Sequence, residues 1–213
     1  MERRTVLITG ANGEIGQGLC RGFQKAGWRV VGTDYAKSCI FKIDDYIPID
    51  LDRLCNDNKY REKCIDHINH SCKDGLDALI NNAAAQILAP MESLSFEDWQ
   101  STININLNST FVLIQALLQK LSATKGSVVN IASIHSTLTK PNFSAYATSK
   151  SGLLGLTKSL AVELGRQVRV NAICPAAIDT SMLHASFIDN PKGLEELKKF
   201  HPSGTIGSIN DIV

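Results

Sequence analysis

No stretch of the chain is apolar for long enough to cross a bilayer, because Lys, Glu, Asn or Gly interrupts every hydrophobic run. The first run, Thr5 to Ile8, stops at Thr9-Gly10, too short for the core of a secretory signal. These absences predict a cytoplasmic protein without a membrane partner. An excess of charge of one sign is missing too. Lys and Arg number 22 against 21 Asp and Glu, interspersed to a net charge of +1, so there is no electrostatic footprint for a nucleic acid. The six cysteines form no CxxC pair and read as reduced thiols. Cys64, His67, His70 and Cys72 lie close in sequence, but only Cys64 and His67 would share a helical face, and Ile65 and Ile68 supply a buried stripe. A polar helix surface is expected there, and no metal. Repeats, low-complexity tracts and interdomain linkers are also lacking, and 213 residues with 44% hydrophobic content suffice for one core, so residues 1–213 are expected to form a single domain.

What is present is an alternation of two patterns. Continuous apolar runs flanked by Gly, Asn or Asp recur at Thr5–Thr9, Arg29–Thr33, Tyr46–Ile49, Ala78–Ile80, Ser127–Ala132 and Val168–Cys174, as strands buried on both faces require. Between them apolar residues fall at helical spacing: Ile15 to Ala26, Phe96 to Leu121, and Leu153 to Leu164. Strand alternating with helix predicts an α/β domain with a doubly wound, Rossmann-like parallel sheet, whose ligands bind beyond the carboxyl ends of the strands. After Pro175 the pattern changes. Residues 176–207 gather Pro and Gly around one short amphipathic piece, Leu194 to Phe200, and read as a lid over a substrate.

Two constellations carry chemistry. Gly10, Asn12, Gly13, Glu14, Ile15 and Gly16 leave the first strand and open the first helix, where glycines permit close backbone approach and a helix N-terminus offers unpaired N–H groups to a pyrophosphate. Asp34 follows at the end of the second strand, placed to accept bonds from a ribose diol and to repel a 2′-phosphate, so NAD is expected over NADP, with Lys37 keeping NADP open. The second constellation is Tyr146 and Lys150, four apart on one helical face, where an ammonium can favour the phenolate of a general acid/base. His135 could face a substrate or cap a loop.

Further motifs stand in order: Asn81-Asn82-Ala83-Ala84 after the fourth strand, Asn106 within Trp99 to Phe111, Ser133 closing the fifth strand, and Val170 to Pro175 as the sixth. With these, nearly the whole chain resembles the short-chain dehydrogenase/reductase family, in its Tyr-x-x-x-Lys branch. The resemblance implies a nicotinamide-dependent oxidoreductase acting on a small alcohol or carbonyl substrate. Ser133 would bond the reacting oxygen, Tyr146 would exchange its proton, Lys150 would bind the nicotinamide ribose and lower the Tyr146 pKa, and Asn106 would hold a water in a proton relay. It also places Asp50 and Leu51 beside the adenine, Asn82 and Ala83 along the ribose, and Pro175, Ile178 and Thr180 around the carboxamide. A homodimer or homotetramer built on the helices 96–121 and 145–165 is implied. Departures are visible: Glu14 where the branch usually has its middle glycine, Ala84 and Ala176 in place of glycines, and a final helix and edge strand expected to be missing. A nucleotide-sugar epimerase or dehydratase, suggested by the glycine spacing, and a non-catalytic cofactor-binding protein are the alternative readings.

Overall fold

The computed structural model describes residues 3–187 and 191–213. Strands β1 (Thr5–Thr9), β2 (Arg29–Asp34), β3 (Asp45–Pro48), β4 (Ala78–Asn81), β5 (Ser127–Ile131) and β6 (Arg169–Ile173) form one parallel sheet in the order β3-β2-β1-β4-β5-β6. The chain winds outward from β1 to β3, then returns to β4 on the other side of β1. That reversal opens a crevice at the carboxyl ends of β1 and β4.

The continuous apolar runs have the expected cause. Along β1, Val6 and Ile8 pack with Leu19, Cys20 and Ile80 on one face, while Leu7 packs with Val31, Leu79, Leu113 and Leu117 on the other. Side chains alternate between faces, and helices cover both, so every residue of β1 is buried. β6 differs because it forms an edge of the sheet: Arg169 and Asn171 are exposed while Val170 is buried.

Helix α1 (Glu14–Lys25) follows β1, and α2 (Leu51–Asn56) and α3 (Asn58–Ser71) follow β3. Asp50 and Asp57 cap α2 and α3 by accepting the backbone N–H groups of Arg53 and Tyr60. On α3 the expectation needs correcting. Cys64 does not lie on a polar surface but is buried with Ile68 in the core, whereas Ile65 is only partly covered. Among the described residues no group of His, Cys, Asp or Glu is placed to hold a metal, and no helix is long and apolar enough to cross a membrane.

The single helix expected over Phe96–Leu121 is broken in register. α4 (Phe96–Ile103) passes into a π-helical turn at Asn104–Asn108 and continues as α5 (Ser109–Ala123). The extra residue in this turn directs two amides inward: Asn104 Nδ2 donates to Asp52 Oδ1 at 2.8 Å, and Asn106 is buried. α6 (Ser144–Leu164) then crosses behind β5 and β6. After β6 the chain makes an excursion through α7 (Ser181–Ala185) and α8 (Pro191–Phe200). Its base is closed where Gly207 N–H donates to Ala177 O and Asp179 N–H to Gly207 O, both at 2.8 Å. The excursion coincides with the segment 176–207 read as a lid; residues 188–190 of it lie outside the described ones.

Behind the crevice a buried polar chain joins strand to helix. Asn81 Nδ2 donates to Asn130 Oδ1 at 2.8 Å, Asn130 Nδ2 to Thr157 Oγ1 at 2.9 Å, and Thr157 Oγ1 to the Leu153 carbonyl at 2.7 Å. Asn130 is the middle link and has no exposed surface. Replacing it with Ala strands the Asn81 amide N–H in the core and leaves a cavity, so Asn130→Ala is expected to cost roughly 2–4 kcal/mol. Urea unfolding should show a lower midpoint at unchanged slope; an unaltered midpoint would show that the link does not carry stability.

Candidate active site

A cleft of about 1470 Å³ runs along the carboxyl edge of the sheet, from the glycine turn to the segment between β6 and α8. At one end, backbone dominates. Gly10 has φ +67°, and a side chain there would come within 2.8 Å of the Ala83 Cα, so glycine is what allows the loop after β4 to lie against the turn. A side chain on Gly16 would collide with the Gly10 carbonyl. Gly13 caps α1 without a side-chain acceptor, which leaves the first-turn N–H groups free of one. Asn82 and Ala83 both donate their backbone N–H to Thr9 Oγ1 at 3.0 Å, and Asn82 Nδ2 donates to the Thr9 carbonyl at 2.9 Å. Their first task is to hold the β4 loop to the turn.

Asp34 sits on the cleft wall, with Oδ2 accepting from Asn12 N–H at 3.0 Å and Oδ1 from Ala36 N–H at 3.5 Å. A carboxylate has about four acceptor sites, so capacity remains for a diol. The Asn12 side chain meanwhile organises the loop after β2, donating to Ser38 O and Tyr46 Oη and accepting from Ile40 N–H. Asp50 and Leu51 line the same end, as does Ile15. The Thr33 hydroxyl, also on the wall, is buried with no partner. A glycine cradle, an open helix N-terminus, a carboxylate with spare acceptors and an orphaned hydroxyl together fit a dinucleotide. Glu14 lines the cleft but faces the excursion: its Oε2 accepts from the Ser181 N–H at 2.6 Å and the Ser181 hydroxyl at 2.9 Å.

At the other end three side chains converge. Ser133 closes β5 and caps a short 3-10 turn, Ile134–Ser136, its Oγ accepting from His135 N–H at 3.1 Å. The Tyr146 phenol is buried beside the Ser133 hydroxyl, which favours the phenolate. Lys150, one turn further along α6, is only 2% exposed; its Nζ donates to the Ile131 carbonyl at 2.7 Å and lies 5.7 Å from the centre of the Tyr146 ring. Burial pushes the Lys150 ammonium down to about 8. Pro175, Ile178 and Thr180 line the cleft opposite, and the Pro175 carbonyl accepts from Ile134 N–H at 2.8 Å.

Two expectations are corrected at this end. Burial raises the Tyr146 pKa above its ordinary value and Ser133 only partly opposes that, so the expected lowering by Lys150 does not prevail. Asn106 is not on the cleft wall. Its Oδ1 accepts from Ala85 N–H at 2.8 Å while its Nδ2 donates to Ala85 O and to Ser149 Oγ, both at 2.9 Å, so the amide braces the loop after Asn82. His135 closes a loop and also lines the cleft. Nδ1 meets the Leu138 carbonyl at 3.2 Å, and the ring stacks on Phe143 and faces Tyr146 within the cleft lining. Burial, then Lys140, hold its pKa down. Phe143, Lys140 and Met182, which no sequence motif marks, also line this end.

Known proteins share this arrangement. Residues 4–191 match the model of the short chain dehydrogenase family. The chain is 42% identical to D-threitol dehydrogenase of Mycolicibacterium smegmatis over 64% of its own length, and spans about half (53%) of that relative. It is 29% identical to carbonyl reductase [NADPH] 2 of Sus scrofa, across 97% of this chain and 84% of that one. Among solved structures, Thermoplasma acidophilum aldohexose dehydrogenase superposes with a TM-score of 0.88 at 28% identity, over 99% of this chain and 84% of that one. 4-Hydroxyisoleucine dehydrogenase complexed with NADH gives 0.84 at 28%, over 99% and 88%. Family model, sheet order and cleft agree: the chain belongs to the short-chain dehydrogenase family of NAD(P)-dependent oxidoreductases.

Proposed function

We propose that the chain transfers a hydride between NAD and a secondary alcohol or its ketone, with Tyr146 carrying the proton. The observation that carries this reading is the buried Tyr146 phenol beside Ser133 on the cleft wall, next to an ammonium that burial has stripped of water. The nicotinamide supplies or accepts the hydride. The chain does the rest. Ser133 Oγ accepts from a backbone N–H and its hydroxyl favours the Tyr146 phenolate; with substrate bound that O–H turns to donate to the reacting oxygen. In reduction the Tyr146 O–H gives its proton to that oxygen; in oxidation the phenolate takes it back. Lys150 uses one of its three donors on Ile131, leaving two for the nicotinamide ribose. Asn106 acts as a positioning residue through Ala85 and Ser149. The segment 176–207 closes over the substrate, with Glu14 and Ser181 joining it to the glycine turn.

NAD is favoured over NADP on electrostatic grounds. Of the acidic side chains lining the cleft, Asp34, Asp50 and Asp52 stand at the adenosine end, and its cationic ones, Lys140 and Lys150, stand away from it. Relatives of this chain include one named for NADPH and one complexed with NADH, so the family leaves the choice to such local charges. NAD should bind at least roughly tenfold tighter than NADP, and Asp34→Ser should narrow the gap. Equal affinities in the unaltered chain would contradict the assignment.

Self-association through α4, α5 and α6 is the matching proposal for assembly. Phe111 on α5 is 47% exposed and Val162 on α6 is 87% exposed, apolar side chains more readily explained by a second copy than by water. Sedimentation at micromolar concentration should give a dimer or larger species that Val162→Glu weakens; a monomer throughout would remove this interface.

The catalytic reading is tested by single-turnover hydride transfer at saturating cofactor. Tyr146→Phe should slow transfer about 10³-fold and leave cofactor affinity within a few-fold, since only a transition-state contact is lost. Because burial raises the Tyr146 pKa, the acid form persists to high pH: reduction should stay flat through neutral pH and fall only above about 10, while oxidation climbs with pH across the same range. Near-normal transfer by Tyr146→Phe would sink the mechanism. Binding of NAD without transfer to any carbonyl would favour the non-catalytic alternative.

A further inference from the structure

Charge is segregated along the cleft. Asp34, Asp50 and Asp52 gather at the adenosine end and Glu14 reaches Ser181 at the start of α7, whereas the cleft lining past Tyr146 presents Lys140, His135 and His201 and no acidic side chain among the described residues. His135 is held neutral by burial and by Lys140, and its Nδ1 is engaged by Leu138. His201 Nδ1 lies 2.9 Å from the Leu197 carbonyl. The ammonium of Lys140 is the lysine charge of this end.

Its surroundings are apolar. Lys140 Nζ stands 4.7 Å from the centre of the Phe143 ring and 5.3 Å from that of Phe187, and no carboxylate among the described residues pairs with it. The Phe143 ring lies 6.0 Å from the Tyr146 ring and 4.4 Å from that of His135. Ammonium and phenol thus flank one aromatic pair. Lys140 is exposed at the cleft, and a cation with rings but, among the described residues, no anion beside it gains from a ligand that brings the anion.

Building on the hydride-transfer reading above, we propose that this end of the cleft is a carboxylate subsite: the substrate is an alcohol or ketone that also bears a carboxylate, held by Lys140 while Tyr146 meets the reacting oxygen. The breadth of the Phe143 ring separates the two groups, so the carboxylate lies several bonds from the carbinol carbon rather than next to it. A single ammonium matches one carboxylate, whereas a phosphate dianion usually gathers several donors. Specificity would then come from charge at one end and proton transfer at the other, with the apolar side chains of Phe143 and Met182 accepting the chain between.

Calorimetry with three probes of similar shape, hexanoate, hexanamide and hexyl phosphate, tests this on the whole chain with and without NAD. Hexanoate should bind roughly tenfold tighter than hexanamide at low salt, with the preference fading as salt rises. Lys140→Gln should abolish the preference and Lys140→Arg should retain it. Equal binding of acid and amide, no measurable binding of hexanoate, or a preference that survives Lys140→Gln would overturn the proposal. A phosphate preference lost in Lys140→Gln would also overturn the assignment to a carboxylate. These outcomes are separable from the hydride-transfer reading. A chain that reduces neutral ketones without favouring carboxylates keeps that function and loses the subsite, and one that holds hexanoate through Lys140 but transfers no hydride does the reverse.

Discussion

The reacting end of the cleft is arranged around one ammonium buried in the protein. Lys150 enters the interior from α6 and, among the described residues, finds a single acceptor, the Ile131 carbonyl at the end of β5. Burying a charge with so little compensation is costly, and the pKa lowered to about 8 measures how much the site disfavours the proton. The neighbouring structure is fixed by the same need. Ser136 Oγ donates to the Lys150 carbonyl at 2.9 Å and Ser151 Oγ to the Ser136 carbonyl at 2.9 Å, clamping the 3-10 turn to α6. With that turn held, Ser133 is fixed at its start and the Tyr146 phenol has one place to go. An ammonium in such surroundings destabilises the fold and is best explained by use in the site.

A second layer of amides holds this arrangement against the sheet. The Asn81, Asn130 and Thr157 chain links β4, β5 and α6 from behind. Asn106 performs a parallel task in front. It fixes Ala85 by both backbone groups and reaches Ser149, whose hydroxyl donates to the Tyr146 carbonyl at 2.7 Å. The loop lining one wall and the helix carrying the phenol are thereby joined through one side chain. Asn82 does the same at the dinucleotide end, tying the β4 loop to the glycine turn.

The sheet was legible in the sequence because each central strand is buried on both faces, which forces a continuous apolar run that a half-exposed strand would not show. Glycine at 10, where φ is positive and Ala83 crowds close, was legible for a similarly local reason. Other features depended on contacts between distant segments. The π-helical turn leaves no hydrophobic signature, since one added residue shifts the stripe by less than its width. Cys64 read as polar because a lone thiol carries no periodicity, yet it packs as a small apolar group. Tyr146 and Lys150 could be placed on one helical face, but their spacing could not reveal that burial raises the phenol. The aromatic pair beside Lys140 comes from one loop whose fold, not composition, stacks it.

The ionisation of Lys150 can be read directly. With 13C at the lysine ε-carbons, one signal should vanish in Lys150→Arg, identifying it, and in the cofactor-free protein that signal should titrate with a midpoint near 8, well below the ordinary lysine value. A midpoint at or above about 10.4 would mean that the ammonium is solvated rather than buried, and the arrangement of Ser133 and Tyr146 around it would lose its physical basis.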